Sequence, residues 1–393
     1  MTRPVHPFPA RMAPGLALDS LAALPPGSVV LDPMSGSGTV LRQAAELGHT
    51  ALGYDVDPLA VLMARVWTTP VDDACISRLY DRLTALVRAP DFVVPVWLTD
   101  EETSGFISYW FGPPQAAALT RLAAAIVSLD QDDLPPADVA ALDVLKLNLS
   151  RIVVTKEQAA SLARDTSHSR PHRTSLQSKY DVFSGYERSL NALRDRLRLA
   201  PPPGSTDVSL GDARRLSGIE DGTVDAVITS PPYLNAIDYL RGHRLALVWL
   251  GWTIAELRTI RSNSIGSERR PDSEDADTAL DDLVLSIVAA DVLPTRYLSM
   301  IRRYAVDLRE MMREVARVLK PGGRATFVVG NSCLKGVFVK NAEGVASAAK
   351  LFGLTEVARA ERQLPQASRY LPVTGSALAK RMRTETVLTF AAS

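Results

Sequence analysis

Cysteine is nearly absent from this chain of 393 residues. Only Cys75 and Cys333 occur, far apart and without the close pairs or Cys/His sets of a disulfide framework or a structural zinc site. No metal site is expected, and a reducing compartment fits best. An excess of either charge is missing too: 44 Lys plus Arg balance 44 Asp plus Glu, so no global field draws a polyanion. Any nucleic-acid contact must come from local basic patches. Long apolar runs are also lacking. Nothing approaches the roughly 18 apolar residues of a membrane helix, and Met1-Thr2-Arg3-Pro4-Val5-His6-Pro7 has no signal-peptide core. The expectation is a soluble cytoplasmic protein that makes no membrane contact. The remaining composition is that of a globular protein, 46% hydrophobic and 22% charged, enough for one large domain or two of usual size.

Organisation follows from local patterns. Ser28 to Leu31 is a short apolar run after the turn signal Pro25-Pro26-Gly27, and it leads into Asp32-Pro33-Met34-Ser35-Gly36-Ser37-Gly38-Thr39. This predicts a buried strand ending in a Gly-rich turn. Val40 to Leu47 suits a helix closed by Gly48, and Thr50 to Tyr54 a second strand ending at Asp55. Strand, turn, helix, strand is a parallel unit. The alternation then breaks. Gln115–Val127, Val139–Leu149 and Phe183–Leu197 have helical spacing, and Pro201-Pro202-Pro203-Gly204 reads as a linker. Beyond it, Val208–Leu210, Val224–Ile228 and Ala325–Val329 look like further central strands. Tyr297–Leu319 is the cleanest amphipathic helix, stopped by Pro321-Gly322-Gly323. Residues 263–283 are polar and acidic, which predicts a mobile loop.

Two constellations carry chemistry. A Gly-rich turn between strand and helix lets backbone approach a ligand, and an acid at the end of the next strand can accept bonds from ribose hydroxyls. Gly36 and Gly38 supply the first and Asp55 the second. On these residues alone, the turn can equally just close a strand–helix unit, and Asp55 can be a helix cap. The second constellation is Thr229-Ser230-Pro231-Pro232-Tyr233 directly after Ala226-Val227-Ile228. A proline-rich loop ending a strand with a packing tyrosine is its bland alternative.

The sequence resembles the amino-methyltransferases of DNA. Their donor-binding motif looks like Asp32-Pro33-Met34-Ser35-Gly36-Ser37-Gly38-Thr39, and their catalytic motif looks like Ser230-Pro231-Pro232-Tyr233. His6-Pro7-Phe8-Pro9-Ala10-Arg11-Met12 is similar to the family segment that closes over the methionine end of the cofactor. Gly53-Tyr54-Asp55-Val56-Asp57-Pro58 is similar to the ribose-binding strand end, and Leu210-Gly211-Asp212-Ala213 to the one whose acid contacts the adenine amine. The resemblance thus implies S-adenosyl-L-methionine as cofactor. It implies His6, Pro7, Phe8, Arg11, residues 32–39, Asp55, Val56, Asp212 and Ala213 as its site, and residues 230–233 as catalytic. Met34 stands where an aromatic is common in the family.

The chemistry accounts for these residue types. An exocyclic base amine is a poor nucleophile because its lone pair is delocalised into the ring. If Ser230 and the Pro231 carbonyl accept its hydrogens, the nitrogen can pyramidalise toward the sulfonium methyl. Consecutive prolines hold that carbonyl rigid, and Tyr233 offers a face for an extruded base. Carbon-5 methylation needs a thiolate that is not suitably placed here. Adenine enzymes resembling this one usually carry Asp or Asn at the first catalytic position, and cytosine-N4 enzymes Ser. Ser230 therefore favours cytosine N4 over adenine N6.

Strand placement and the resemblance together imply an α/β fold, a doubly wound, mainly parallel, seven-stranded Rossmann-like methyltransferase sheet with a helical insert domain. Residues 1–65 would form the first part of the core, 66–205 the insert and 206–393 the rest. The insert occupies a place for target recognition. Its basic stretch Arg164–Arg173 offers Arg164, His168, Arg170 and Arg173 to phosphates and guanine edges, and Arg258, Arg261, Arg269 and Arg270 are a second patch. The implied partners are double-stranded DNA in a prokaryotic cytosol and a cognate restriction endonuclease. The rivals are an RNA base-amine methyltransferase and a non-catalytic nucleic-acid-binding module of the same fold.

Overall fold

A computed structural model of the chain describes residues 5–6, 14–155, 159–164, 171–198, 202–234, 239–267, 278–289, 293–330, 332–334, 336–363 and 384–393. Helix α1 (Pro14–Leu21) leads to β1 (Val29–Asp32), where Val30 and Leu31 are fully buried in different hydrophobic clusters, one on each sheet face. A turn passes into α2 (Thr39–Glu46), β2 (Thr50–Asp55) and α3 (Pro58–Thr68). Helix α2 lies close on the sheet because Gly53 has no side chain: a Cβ there would stand 2.3 Å from Leu41 Cδ1.

Helix α3 is apolar on two faces and buried on both. Val61 and Ala64 pack toward α2 and the sheet, whereas Leu59, Leu62, Met63, Val66 and Trp67 belong to a second core. That core is built by α4 (Asp73–Arg88), α5 (Glu101–Trp110), α6 (Pro113–Asp130), α7 (Pro136–Val153) and α8 (Val182–Leu197). Helices α6, α7 and α8 contain the three stretches read from sequence. The two-residue strands β3 (Ala163–Arg164) and β4 (His172–Arg173) pair antiparallel between α7 and α8.

The chain then returns to the sheet with β5 (Ser205–Leu210) and β6 (Val224–Thr229). Helices α9 (Leu240–Leu247) and α10 (Ile254–Asn263) follow, then α11 (Thr278–Ile287) and α12 (Thr295–Val318). After β7 (Leu319–Gly330) come the hairpin β8 (Ser332–Leu334) and β9 (Val337–Val339), α13 (Asn341–Leu351), β10 (Thr355–Gln363) and β11 (Thr384–Ala391).

The seven-stranded sheet has the order β10-β11-β7-β6-β1-β2-β5. All pairs from β7 to β5 are parallel, and β11 runs antiparallel to both its neighbours. The chain winds outward from β1 through β2 to β5, then restarts at β6 on the other side of β1. The switch point of this doubly wound sheet therefore lies between the carboxyl ends of β1 and β6, the place where open α/β sheets bind ligands.

Three expectations are corrected. The loop expected over 263–283 is helical in its last part: α11 begins at Thr278 and buries Leu280, Leu283 and Ile287 at helical spacing. Acidic neighbours masked this stripe. Pro321-Gly322-Gly323 does not merely stop a helix. Helix α12 ends at Val318, and β7 starts at Leu319 and runs through the Pro-Gly-Gly. The segment 206–393 is also not all sheet core, because Leu240, Leu245, Trp249, Ile254 and Leu257 are buried with the insert helices. The Trp249 ring meets Phe111 edge-on at 5.0 Å. No described helix is long and apolar enough to cross a membrane.

Candidate active site at the strand ends

The turn after β1 is held by the end of β2 and by α3. Gly38 takes φ +84°, which a side chain would strain, and its missing Cβ lets α3 approach, since a Cβ would stand 3.0 Å from Ala64 Cα. Ser35 donates its backbone N–H to the Tyr54 carbonyl at 2.9 Å. The Gly36 N–H donates to Asp55 Oδ2 at 2.8 Å, while Asp55 Oδ1 accepts the Asp57 N–H at 2.9 Å. Asp55 is therefore not the cap of α3. Asp57 is, accepting the Leu59 N–H at 2.9 Å. Asp55 instead joins the Gly-rich turn to the end of β2.

Across the switch point, Thr229 Oγ1 donates to Asp32 Oδ1 at 2.7 Å, and the Met34 N–H donates to the same oxygen at 3.2 Å. Burial pushes the Asp32 carboxyl up to about 7, reinforced by the charge of Asp55 and opposed by these two hydrogen bonds. Asp55 is raised to about 6 by desolvation first and then by the charge of Asp57. The Asp57 and Gly36 N–H bonds and the nearby His243 pull it back. Gathering these acids beside a Gly-rich turn costs stability, as functional sites commonly do.

Around that turn, the hydroxyls of Ser35, Ser37 and Thr39 are buried with no hydrogen-bond partner among the described residues. Buried polar atoms are normally satisfied. The turn therefore fits a ligand rich in polar groups, and its residues Asp32 to Thr39 form a contiguous wall at the carboxyl end of β1.

The second wall comes from the end of β6. Ser230 is exposed, and its Oγ donates to the Val328 carbonyl of β7 at 2.9 Å. With its proton committed there, the hydroxyl keeps acceptor lone pairs. Pro231 is buried, Pro232 and Tyr233 are half-buried and Leu234 is fully buried. The Tyr233 ring lies against the end of β7, where a Cβ on Gly330 would stand 3.0 Å from Cε1.

At the end of β5, Asp212 has both oxygens held by Arg214, with Nη2 2.6 Å from Oδ2 and Nε 3.0 Å from Oδ1. Ala213 beside it is buried, and Val56 is half-buried at the end of β2. His6 is half-buried next to Val5, which packs in the helical core and whose carbonyl accepts from Arg151 of α7. Pro7, Phe8 and Arg11 lie outside the described residues.

Of the basic stretch in the insert, Arg164 turns back on β3, its Nη1 donating to the Ala163 carbonyl at 3.1 Å. Arg173 on β4 is exposed, with its guanidinium 5.3 Å from the centre of the Tyr109 ring. His168 and Arg170, between those strands, lie outside the described residues, as do Arg269 and Arg270 of the second patch. In that patch, Arg258 pairs with Glu102.

Sequence reasoning missed Arg214 and His243. The latter is buried on α9, with Nδ1 2.5 Å from Asp57 Oδ2. Only Arg214 had a local signal, a basic residue two places after a strand-end acid.

No protein-family model matches the chain. Among curated proteins, it is 23% identical to the Type II methyltransferase M.MvaI of Kocuria varians, with 85% of this chain and 78% of that protein covered. It is likewise 23% identical to the Type II methyltransferase M.BsoBI of Geobacillus stearothermophilus, covering 78% of this chain and 69% of that one. Among solved structures, it is 10% identical to a TehB-like SAM-dependent methyltransferase from Corynebacterium glutamicum, covering 97% of this chain and 87% of that chain with a TM-score of 0.31. The chain is thus similar to two Type II methyltransferases over most of their length, and the switch point of its doubly wound sheet gathers the donor-like and catalytic-like motifs.

Proposed function

We propose that the protein is an S-adenosylmethionine-dependent DNA methyltransferase acting on an exocyclic base amine, with cytosine N4 the favoured target. The observation that carries the reading is the Thr229–Asp32 hydrogen bond at 2.7 Å. It ties the strand that starts the donor turn to the strand that presents Ser230-Pro231-Pro232-Tyr233, so the two walls are rigidly adjacent. When bound, the cofactor supplies an electrophilic methyl group.

The chain's own residues do the rest. Asp55 and Asp212 accept from the ribose and adenine ends, and the unpaired hydroxyls of Ser35, Ser37 and Thr39 are available to the polar end. Ser230 Oγ, whose proton is occupied by Val328, and the Pro231 carbonyl accept the two hydrogens of the target amine. These bonds strengthen as the nitrogen acquires positive charge, so they favour the transition state over the ground state. Tyr233, backed by Gly330, supports an extruded base. The insert would read the DNA, with Arg173 and the neighbouring Arg164, His168 and Arg170 as its phosphate-facing stretch. The Type II names of the relatives support pairing with a cognate restriction endonuclease.

Incubation with labelled-methyl cofactor and duplex DNA, single-stranded DNA or transfer RNA tests this reading. Label should enter duplex DNA. Label in transfer RNA alone, or in none of the three, overturns it. In the same system, Asp55→Ala removes a charge-assisted acceptor worth roughly 1.5–3 kcal/mol. Calorimetry should show donor affinity weakened about ten-fold or more, whereas unchanged affinity would misplace the donor.

A further inference from the structure

The segment that follows the catalytic-like motif is tied to both acid-bearing strand ends, one tie near each of its ends. On α9, His243 Nδ1 meets Asp57 Oδ2, and Asp57 caps α3 while donating its backbone N–H to Asp55. At the end of α10, the Asn263 carbonyl accepts from Arg214 Nη2 at 2.5 Å. The same guanidinium grips Asp212 and, through Nη1, the buried Asp307 of α12. Between these ties, α9, the turn after it and α10 bury Leu245, Trp249 and Leu257 respectively in the core of the helical insert. One stretch thus contacts the insert with its apolar face and the donor-side acids with its polar ends.

We propose that α9–α10 is a strap and that His243 and Arg214 are positioning residues, holding Asp55 (through Asp57) and Asp212 in the geometry that grips the donor while docking the helical insert on the sheet. This rests on the reading above that these two acids take the donor. The residue types suit the task. A buried carboxylate cap needs a paired partner of fixed orientation, and an imidazole is one. A guanidinium is a planar fork that can serve two carboxylates and a carbonyl at once, which an ammonium cannot match. Both side chains meet carboxylates: His243 meets Asp57, and Arg214 meets Asp212 and Asp307. Because the strap carries both contacts, donor and DNA binding are coupled, each raising the affinity of the other by the same factor.

The test uses the full chain with S-adenosylmethionine and a duplex. His243→Ala and Arg214→Ala should each raise the donor Kd about ten-fold, with KM for the donor rising in step and kcat at saturating donor changed less than threefold. The dependence of DNA affinity on donor should shrink toward none. His243→Asn, which keeps an N–H for Asp57, should recover part of the loss. Should the alanine variants not fold, Arg214→Lys and His243→Asn take the same measurements: Lys, keeping charge without the fork, should weaken the donor several-fold. Folded variants with donor affinity and coupling within twofold of the parent overturn the strap. A parent protein that binds no donor overturns the functional reading and the strap with it, whereas a parent that methylates DNA beside unaffected variants overturns the strap alone.

Discussion

Ser230→Ala is expected to lower turnover on DNA about 10²- to 10³-fold, the usual effect of deleting one preorganised hydrogen-bonding group that acts on developing charge, while donor affinity stays within twofold. The effect follows from where the Ser230 proton goes. Its Oγ donates to the Val328 carbonyl, so toward the site it can only accept, which is what an amine donating its N–H while drawing its lone pair back from the ring requires. Removal of the hydroxyl takes away an acceptor and leaves the donor turn, 2.7 Å Thr229–Asp32 link included, untouched. Loss confined to kcat is the signature of an interaction made in the transition state. Full activity in the variant would refute the role given to Ser230, and a matching loss of donor binding would place Ser230 in the donor pocket instead.

A second large effect is expected on stability. Asp32 is almost wholly buried, and its carboxyl is held up near 7, against an ordinary value of 3.8, chiefly by desolvation. A raised native value means that the folded state holds the proton more tightly than the unfolded chain. The contribution is therefore fully present below about pH 4 and is lost as pH rises through 7. Three pH units correspond to about 4 kcal/mol. Asp32→Asn keeps an oxygen for Thr229 and Met34 but never ionises. Urea unfolding of the protein without donor should find the variant more stable than the parent at pH 8 by up to that order, with the gap closing by pH 4. Equal stabilities across that range would show that Asp32 is not the strained acid of the site.

The parts legible in the sequence are those whose cause is local. The β1–turn–α2–β2 unit is announced by an apolar run, two glycines and Gly48. The α12 stripe is announced by Ile301, Tyr304, Leu308, Met311 and Met312, all fully buried. The antiparallel β10–β11 pair was not legible from β10, whose residues are almost all exposed and show no two-residue alternation. Strand β11 does alternate, burying Thr386, Leu388 and Phe390. Helix α11 was hidden by the acids around Leu280 and Leu283.

Within the site, residues on motifs could be placed, but their partners could not. Asp57 and His243 are 186 residues apart, and Arg214 and Asp307 are 93 apart, so only the tertiary fold brings them together. The same holds for the burial of Leu245 of α9 with the insert, because an apolar helix face does not state which of two cores it will join. Asp55 illustrates the converse: a helix cap and a strand-end acid look alike in one dimension, and the Leu59 N–H accepted by Asp57 shows that Asp55 is not the cap.

If Ser230-Pro231-Pro232-Tyr233 presents a base amine to the methyl donor, the product is a base methylated on its exocyclic nitrogen. Duplex DNA modified by the purified protein should be digested to nucleosides and analysed by mass spectrometry. N4-methylcytosine is the expected product, absent from DNA treated with Ser230→Ala. N6-methyladenine would keep the amine chemistry and correct the base, whereas 5-methylcytosine, or no methylated nucleoside at all, would contradict the account.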